Sequence, residues 1–212
     1  MRIDFHTHAV GHRYSYDGTI PSLLTSKDQD NIRELIDIGL QRKLDGIAIT
    51  DHDLALPGLW GAEYARAKSL PIRVIPGCEC ELYYQGHWIH ILALNLKRPL
   101  DYTPYTPPAQ LAAQIKEQGA VSILAHPMLY DIKAYHLLKA VFDGIEYRNG
   151  AAERRGCEPF TAILDEDNYT GLRLHNSDYH YPDKKCSEQW QAFTEMDDTL
   201  FSKWFVINQG RR

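Results

Sequence analysis

Asp45-Gly46-Ile47-Ala48-Ile49-Thr50-Asp51-His52-Asp53 joins a short apolar run to an abrupt change into polar, metal-capable side chains. Residues 45–50 read as a buried strand, and His52 falls just past its end. Upstream, Ser26 or Asp28 is placed to cap a helix that carries Ile32, Leu35, Ile36 and Leu40 on one face. Downstream, a helix is predicted around residues 58–70. The same unit recurs along the chain. Residues 2–5 read as a first strand, 72–76 as a third, and 80–84 with 88–94 as a hairpin about Gln85-Gly86. A helix over 107–118 ends at Gly119, and strands are predicted at 120–125, 144–147 and 172–175. Helices over 132–141 and 159–165 separate these strands, and a last helix over 199–208 has Gly210 beyond it. Residues 97–108, rich in Pro and Tyr, read as a surface loop. Alternating strands and helices argue for an α/β chain with a parallel sheet or barrel. The length of 212 residues suits one domain spanning 1–212.

The ends of the strands carry the chemistry. Six of the ten histidines stand at or near these ends: His6, His8, His52, His90, His126 and His180. His6 and His8 form His-x-His, and Asp178 and His180 form Asp-x-His. Residues i and i+2 of an extended segment point to one side, so each pair can reach one metal ion. Glu79 follows the third strand. One His-x-His is weak evidence, but recurrence at equivalent points of a barrel is the pattern of a site built from several strand ends. Imidazole with carboxylate suits Zn, Mn or Fe(II). Glu79, with two oxygens, is the natural bridge between ions.

His6-Thr7-His8, Ser15-Tyr16-Asp17-Gly18, Thr50-Asp51-His52, Gly77-Cys78-Glu79, Ala125-His126-Pro127 and Ser177-Asp178-Tyr179-His180 resemble, in this order, the motifs of the PHP (polymerase and histidinol phosphatase) superfamily. The resemblance covers residues 2 to about 195. It implies a distorted (β/α)7 barrel and two or three divalent ions. The implied ligands are His6, His8, Asp17, His52, Glu79, His90, His126, Asp178 and His180. Two features depart from the pattern: a longer segment after His8, which adds His12 as a substitute for Asp17, and Asn176 where Gly is common.

Such a centre implies a phosphoesterase acting through metal-activated hydroxide, with Glu79 and Asp178 in the reacting site. The substrate would be a phosphomonoester, a nucleotide bisphosphate or the end of a short oligonucleotide. Arg148, directly after the strand at 144–147, is the expected phosphate contact through its planar fork. Arg13 stands second, with Lys184 and Lys185 as further cations. Hydrolysis of a C–N or C–O bond by the same metals is an alternative, as is a non-catalytic interaction subunit. There is neither a P-loop nor a Gly-x-Ser-x-Gly elbow.

Other residues receive plainer readings. Asp51 and Asp53 are placed either to orient His52 or to serve as cap and surface acids. Glu81 is expected to be a solvated acid. His87, His136 and His175 are expected to be non-ligands. Tyr14, Tyr16, Tyr179 and Tyr181 adjoin the ligand motifs as packing or stacking groups.

Net charge is −5, with 44% hydrophobic and 24% charged residues, the balance of an ordinary globular protein. Without a basic stripe, extended duplex binding is not expected, although bound metals would reverse the local sign for a short nucleotide. Met1-Arg2-Ile3-Asp4-Phe5-His6 holds no apolar leader, and no stretch approaches a membrane span. Cys78, Cys80, Cys157 and Cys186 show no C-x-x-C spacing and read as reduced thiols of a cytoplasmic protein.

Overall fold

The computed structural model describes residues 1–10, 23–130, 132–181 and 192–205. Asp17, His12, Arg13, Tyr14, Tyr16, Lys184, Lys185 and Cys186 lie outside the described residues. Strand β1 (Arg2–His8) leads to helix α1 (Ser26–Gln41), then β2 (Gly46–Ile49) and α2 (Leu56–Ala67). The hairpin of β3 (Arg73–Tyr84) and β4 (His87–Leu94) follows, then α3 (Pro108–Glu117) and β5 (Val121–Leu124). A 3-10 turn (Pro127–Leu129), α4 (Ile132–Leu138), β6 (Gly144–Asn149), α5 (Gly150–Arg154), α6 (Thr161–Glu166) and β7 (Leu172–Asn176) come next. Short strands β8 (Tyr179–His180) and β9 (Thr194–Glu195) and helix α7 (Asp198–Trp204) complete the described chain.

The strands lie in the order β7-β6-β5-β4-β3-β2-β1-β8, with β9 antiparallel on β1. Pairings within this order are parallel, except that β4 runs against both β3 and β5. The reversal follows from Gln85 and Gly86, whose φ values of 49° and 88° make the tight two-residue turn that returns a hairpin. The sheet curls until β1 meets β7. There the backbone N–H of Phe5 donates to Asn176 Oδ1 at 3.0 Å, and that of Ser177 to Asp4 Oδ1 at 3.1 Å. The barrel is distorted in two ways: one strand is reversed, and the seam is fastened by side chains instead of a ladder.

Ile3, Phe5, Ala48, Ile75, Leu92, Ile123 and Leu174 fill the interior. Helix α7 packs Phe201 and Phe205 onto them, with Phe205 stacked on Phe5 at 5.0 Å between ring centres. Along β3 the side chains alternate. Cys78, Cys80 and Leu82 join Leu111 and Ile115 of α3 and Tyr135 of α4 in an outer core. The intervening Glu79 and Glu81 therefore face the mouth. A third core packs Ile32, Leu35 and Ile36 of α1 against Ile47 and Ile49 of β2.

Several expectations are corrected. The strands expected at 72–76 and 80–84 are one strand, β3, because Gly77 lets the backbone run past Thr50, where a Cβ would meet Thr50 Cγ2 at 2.7 Å. The cap of α1 is Thr25. It shares a capping box with Asp28, which sits at the third helical position and bonds back to the Thr25 N–H at 3.0 Å. Helix α2 starts earlier than residue 58 because Pro57 suits a first turn. The loop at 97–108 is not wholly superficial, since Tyr102 packs against the outer core and donates its hydroxyl to Asp53. Cys78, Cys80 and Cys157 are free thiols. No helix among the described residues is long and apolar enough to cross a membrane.

Helix α2 rests directly on the strand backbone beneath the mouth. A Cβ on Gly58 would lie 2.7 Å from both Gly77 N and Ile49 O, main-chain atoms that cannot rotate away. Gly58→Ala is expected to cost about 1–3 kcal/mol through overpacking. A urea denaturation midpoint equal to that of wild type would contradict this close approach.

A candidate metal centre at the barrel mouth

Two β-bulges aim the site. Asp4 and Thr7 of β1 oppose Ile47 and Ile49 of β2, so β1 carries one extra residue there. The bulge lets Phe5 join the interior core while His6 and His8, one and three residues later, reach the mouth. Thr7 and Thr50 lock this turn through mutual hydrogen bonds of 3.1 and 3.2 Å. The Asp51 carboxylate takes the N–H groups of Ala9 and Val10 at 3.0 and 2.7 Å and so fixes the exit of β1. Asp53 accepts from the Glu81 N–H at 2.9 Å. In these contacts both acids hold backbone: Asp51 the exit of β1, and Asp53 the strand β3 at Glu81.

Eight of the nine expected ligands converge; the ninth, Asp17, lies outside the described residues. Four overlapping triads have ligand atoms within 4.8 Å of one another: His8–His52–His180, His6–His8–Asp178, His6–Glu79–His126 and His52–Glu79–His90. Glu79 stands at the centre, with its oxygens divided. Oε1 lies 2.8 Å from both His90 Nδ1 and His126 Nε2. Oε2 lies 3.3 Å from His6 Nε2, 3.4 Å from His8 Nε2 and 3.3 Å from His52 Nδ1. Asp178 Oδ1 is 3.4 Å from His6 Nε2 and 3.2 Å from His8 Nε2.

This donor set fits divalent metal. His6 Nε2, His8 Nε2, Glu79 Oε2 and Asp178 Oδ1 are buried and make no hydrogen bond among the described residues. Buried polar atoms are ordinarily satisfied, and four such lone-pair donors facing one another call for a cation between them. Nearby partners turn the imidazoles outward from the other ring nitrogen. His6 Nδ1 meets the acceptor Glu146 Oε1 at 3.1 Å, while the Tyr130 hydroxyl, able to donate or accept, lies 2.9 Å from His126 Nδ1. His180 Nδ1 meets the Asp178 carbonyl at 3.1 Å. A proton held at Nδ1 leaves the Nε2 lone pair for a metal.

Sequence reasoning missed the group beneath this cluster. Glu146 is fully buried, and besides His6 its carboxylate accepts from the Asn149 and Asn176 amides and the His126 N–H, each at 2.9 Å. Asn149 Nδ2 also reaches Asp178 Oδ2 at 3.3 Å, while its Oδ1 caps α5 through the Ala152 N–H at 2.8 Å. A single acid inside the apolar strand Gly144-Ile145-Glu146-Tyr147 was the available signal. Glu81 is also corrected. It is not a solvated acid, because its Oε1 sits 3.0 Å from His52 Nδ1. Two of the candidate ligands occupy left-handed backbone, His126 at φ 26° and Asp178 at φ 54°, where side-chain-bearing residues are uncommon and strain collects at functional sites.

Arg148 does not face the cluster. Glu146 and Arg148 of β6 oppose Leu174 and His175 of β7, so the second bulge adds a residue between them. Without it, Arg148 would share the Glu146 face; with it, Asn149 points inward and Arg148 outward. The Arg148 fork grips Glu153 instead, at 2.8 and 3.0 Å. His87, His136 and His175 take no part in the four triads found among the described residues. Tyr179 is buried beside α1 in the third core, and the Tyr181 hydroxyl bonds Glu34.

Burial opposes charge on every group here, and the cluster overrides it for His6, His52, His126, Glu79 and Asp178 but not for His8. For His6, burial lowers the pKa, but Asp178, Glu146 and Glu79 together hold it well above the usual value. His52 is raised to about 9, because Glu79 and Glu81 outweigh burial. His126 is raised by Glu79 against its burial. Burial pushes Glu79 and Asp178 up, but the surrounding imidazoles, His6 foremost, hold both well below the carboxylate range. Burial, with the neighbouring His180, lowers His8.

His52, raised to about 9, is protonated at neutral pH, and a metal needs its lone pair. Metal uptake by stripped protein at pH 7 is therefore expected to release protons, and apparent affinity to fall as pH falls. Titration calorimetry in buffers of different ionisation enthalpy measures this, and identical heats in all buffers would contradict it. Glu146→Gln is expected to weaken metal binding by about 10–100-fold, the scale of losing a group that orients a ligand. Competition with a chelator reads that loss.

The sequence matches no protein-family model and no curated protein. Solved structures are similar in fold. An amidohydrolase from Chromobacterium violaceum, with bound sulfate and no metal, superposes at a TM-score of 0.64 with 16% identity, covering 93% of each chain. A two-domain protein from Bacteroides vulgatus, containing a predicted PHP-like metal-dependent phosphoesterase, gives a TM-score of 0.60 with 20% identity over 97% of this chain and 62% of that one. A candidate metal-dependent phosphoesterase from Bifidobacterium adolescentis gives 0.59 with 16% identity over 99% and 98%. Identities this low speak to fold alone. The superpositions make the fold of this chain PHP-like.

Proposed function

We propose that this chain is a metal-dependent phosphoesterase that hydrolyses a phosphomonoester, a nucleotide bisphosphate or the end of a short oligonucleotide. The observation that carries the reading is the divided carboxylate of Glu79, with Oε1 on His90 and His126 and Oε2 on His6, His8 and His52. Such a division suits a bridge between two ions. His6, His8 and Asp178 would hold one ion, and Glu79 would join His6 with His126 or His52 with His90 in holding another. His52 and His180, with His8 alongside, mark a third. Mn, Zn or Fe(II) suits imidazole and carboxylate. When bound, closely spaced divalent ions supply Lewis acidity and hydroxide at neutral pH.

The chain's own residues do the rest. Six imidazoles are neutral when ligating, and Glu79, Asp178, Glu81 and Glu146 are the described carboxylates at the cluster, so two divalent ions would balance them and a third would leave a positive mouth that attracts phosphate. Glu146, an acceptor only, holds His6 in the tautomer that presents Nε2, and the Tyr130 hydroxyl positions the His126 ring. Asn149 fixes the far oxygen of Asp178, so the near one stays aimed at the cluster. A second reading, hydrolysis of a C–N bond, gains from the position of Arg148, since the expected phosphate clamp is spent on Glu153. The amidohydrolase among the similar structures points the same way.

Stripped protein reloaded with Mn, Zn or Fe(II) and assayed against phosphomonoesters, nucleotide bisphosphates, short oligonucleotides and simple amides separates the two. At least two equivalents of metal and release of phosphate are expected. Under one equivalent by elemental analysis would defeat both readings, and amide cleavage alone would select the second. His8→Ala and Glu79→Gln are expected to abolish turnover and to lower metal content, whereas His87→Ala and His136→Ala change neither. Arg148→Ala is expected to leave turnover near wild type; a loss of ~10²-fold, the scale of an oriented donor, would restore it as a phosphate contact.

A further inference from the structure

Strand β3 does not stop at the metal cluster. It continues past Glu79 and Glu81 to Tyr83, and β4 returns beside it, with His90 opposite Glu81 and Trp88 opposite Tyr83. Opposed residues of an antiparallel pair share a face, as do residues i and i+2 of one strand. Glu79, Glu81 and Tyr83 with His90 and Trp88 therefore form one continuous face. The other face, Cys80 and Leu82 with Ile89 and Ile91, is buried in the outer core. The cluster-side face ends in exposed aromatic rings. Tyr83 is 41% exposed and Trp88 52%, their ring centres 5.3 Å apart. The Tyr83 N–H donates to the Pro104 carbonyl, which holds the neighbouring loop against the tip. This brings Tyr105, 76% exposed, to 6.2 Å from Tyr83 and nearly perpendicular to it. Large aromatics this exposed are costly to leave in water, and three together beyond a reaction centre make a stacking surface.

We propose that this aromatic wall stacks the base of a nucleoside phosphate whose phosphate lies at the metal cluster, an inference that rests on the phosphoesterase reading. The spacing sets the kind of ligand. Tyr83 lies four residues beyond Glu79 on the same strand, on the order of 13 Å at ~3.3 Å per residue. A ring bearing the phosphate directly, as in a simple sugar phosphate, would stop beside Glu81. A nucleoside phosphate places a ribose there and sends its planar base on to the wall. Charge decides how many phosphates can follow. Glu81, whose side chain is 18% exposed, stands between cluster and wall. A carboxylate there accepts hydrogen bonds from sugar hydroxyls and repels a second phosphate. The geometry thus favours a mononucleotide over a bisphosphate or an oligonucleotide running along this face. Every base has a π-face, so stacking alone gives little preference among bases.

The test is equilibrium binding to the metal-loaded full chain, using non-hydrolysable phosphonate analogues of AMP and of glycerol phosphate. The variants are Tyr83→Ala/Trp88→Ala, which removes the wall, and Trp88→Phe, which keeps a ring. Wild type is expected to bind the AMP analogue more tightly than the glycerol analogue. The double variant should lose about 10-fold or more for the AMP analogue only, the scale of one base stacked on aromatic rings. Trp88→Phe should retain most of the affinity. Three results would overturn the proposal: no preference for the AMP analogue in wild type, an unchanged double variant, or equal loss for both ligands. The underlying reading is tested separately by hydrolysis of glycerol phosphate. If that ester is cleaved while the double variant binds both analogues as wild type does, the wall is refuted and the phosphoesterase stands. If the wall binds the AMP analogue as expected while no phosphate ester is cleaved, the reverse holds.

Discussion

A carboxylate with no contact with water must be compensated from within the protein, and Glu79 is compensated by imidazoles on every side. His6, His8, His52, His90 and His126 all lie within 3.4 Å of its oxygens, and they come from β1, the end of β2, β4 and the end of β5. Strands far apart in sequence are thus tied to one buried charge, and removing any of them leaves it undercompensated. The tie needs β3 to run unbroken through Gly77, where a Cβ would meet Thr50 Cγ2 at 2.7 Å. It also explains a mixed electrostatic state: protons occupy some of the imidazoles in the absence of metal, and the carboxylates stay ionised beside them.

Beneath Glu79 lies a second buried acid with a different kind of compensation. Glu146 has its oxygens occupied by donors from His6, His126, Asn149 and Asn176. Saturated in this way, it is a poor ligand and a good support. The two acids differ in what surrounds them: lone-pair-rich imidazole nitrogens that compete for a cation around one, and fixed N–H groups around the other. Residue type alone does not distinguish them.

That difference marks how much could be read from the sequence. The clustered histidines were legible because imidazoles at the ends of successive strands form a pattern that packing does not produce, and eight of the nine residues singled out come together at the mouth. The alternation of strands and helices likewise foretold the barrel. What stayed hidden turns on parity. Arg148 follows Glu146 by two residues and on a regular strand would share its face; one added residue sends it out to Glu153 and turns Asn149 in. Bulges have no local residue signature here, so side-chain direction past residue 146 could not be counted from spacing. Glu81 was misread for the opposite reason. Its parity was right, but the partner that removes it from solvent, His52, belongs to another strand end.

The seam between β1 and β7 has a consequence of its own. A hoop can be closed by welding its ends or by a clasp, and this barrel uses a clasp. Asn176 takes the Phe5 N–H on its oxygen and gives its amide hydrogen to Glu146. One side chain therefore sets the circumference of the hoop and braces the acid beneath the metal ligands. Its amide has only one usable orientation, because a flip would set oxygen against the Glu146 carboxylate and nitrogen against a backbone donor. Replacement by Asp would put like charges together at the clasp while keeping its size and shape. In such a barrel, loosening the hoop and slackening the ligand cage are a single mechanical event.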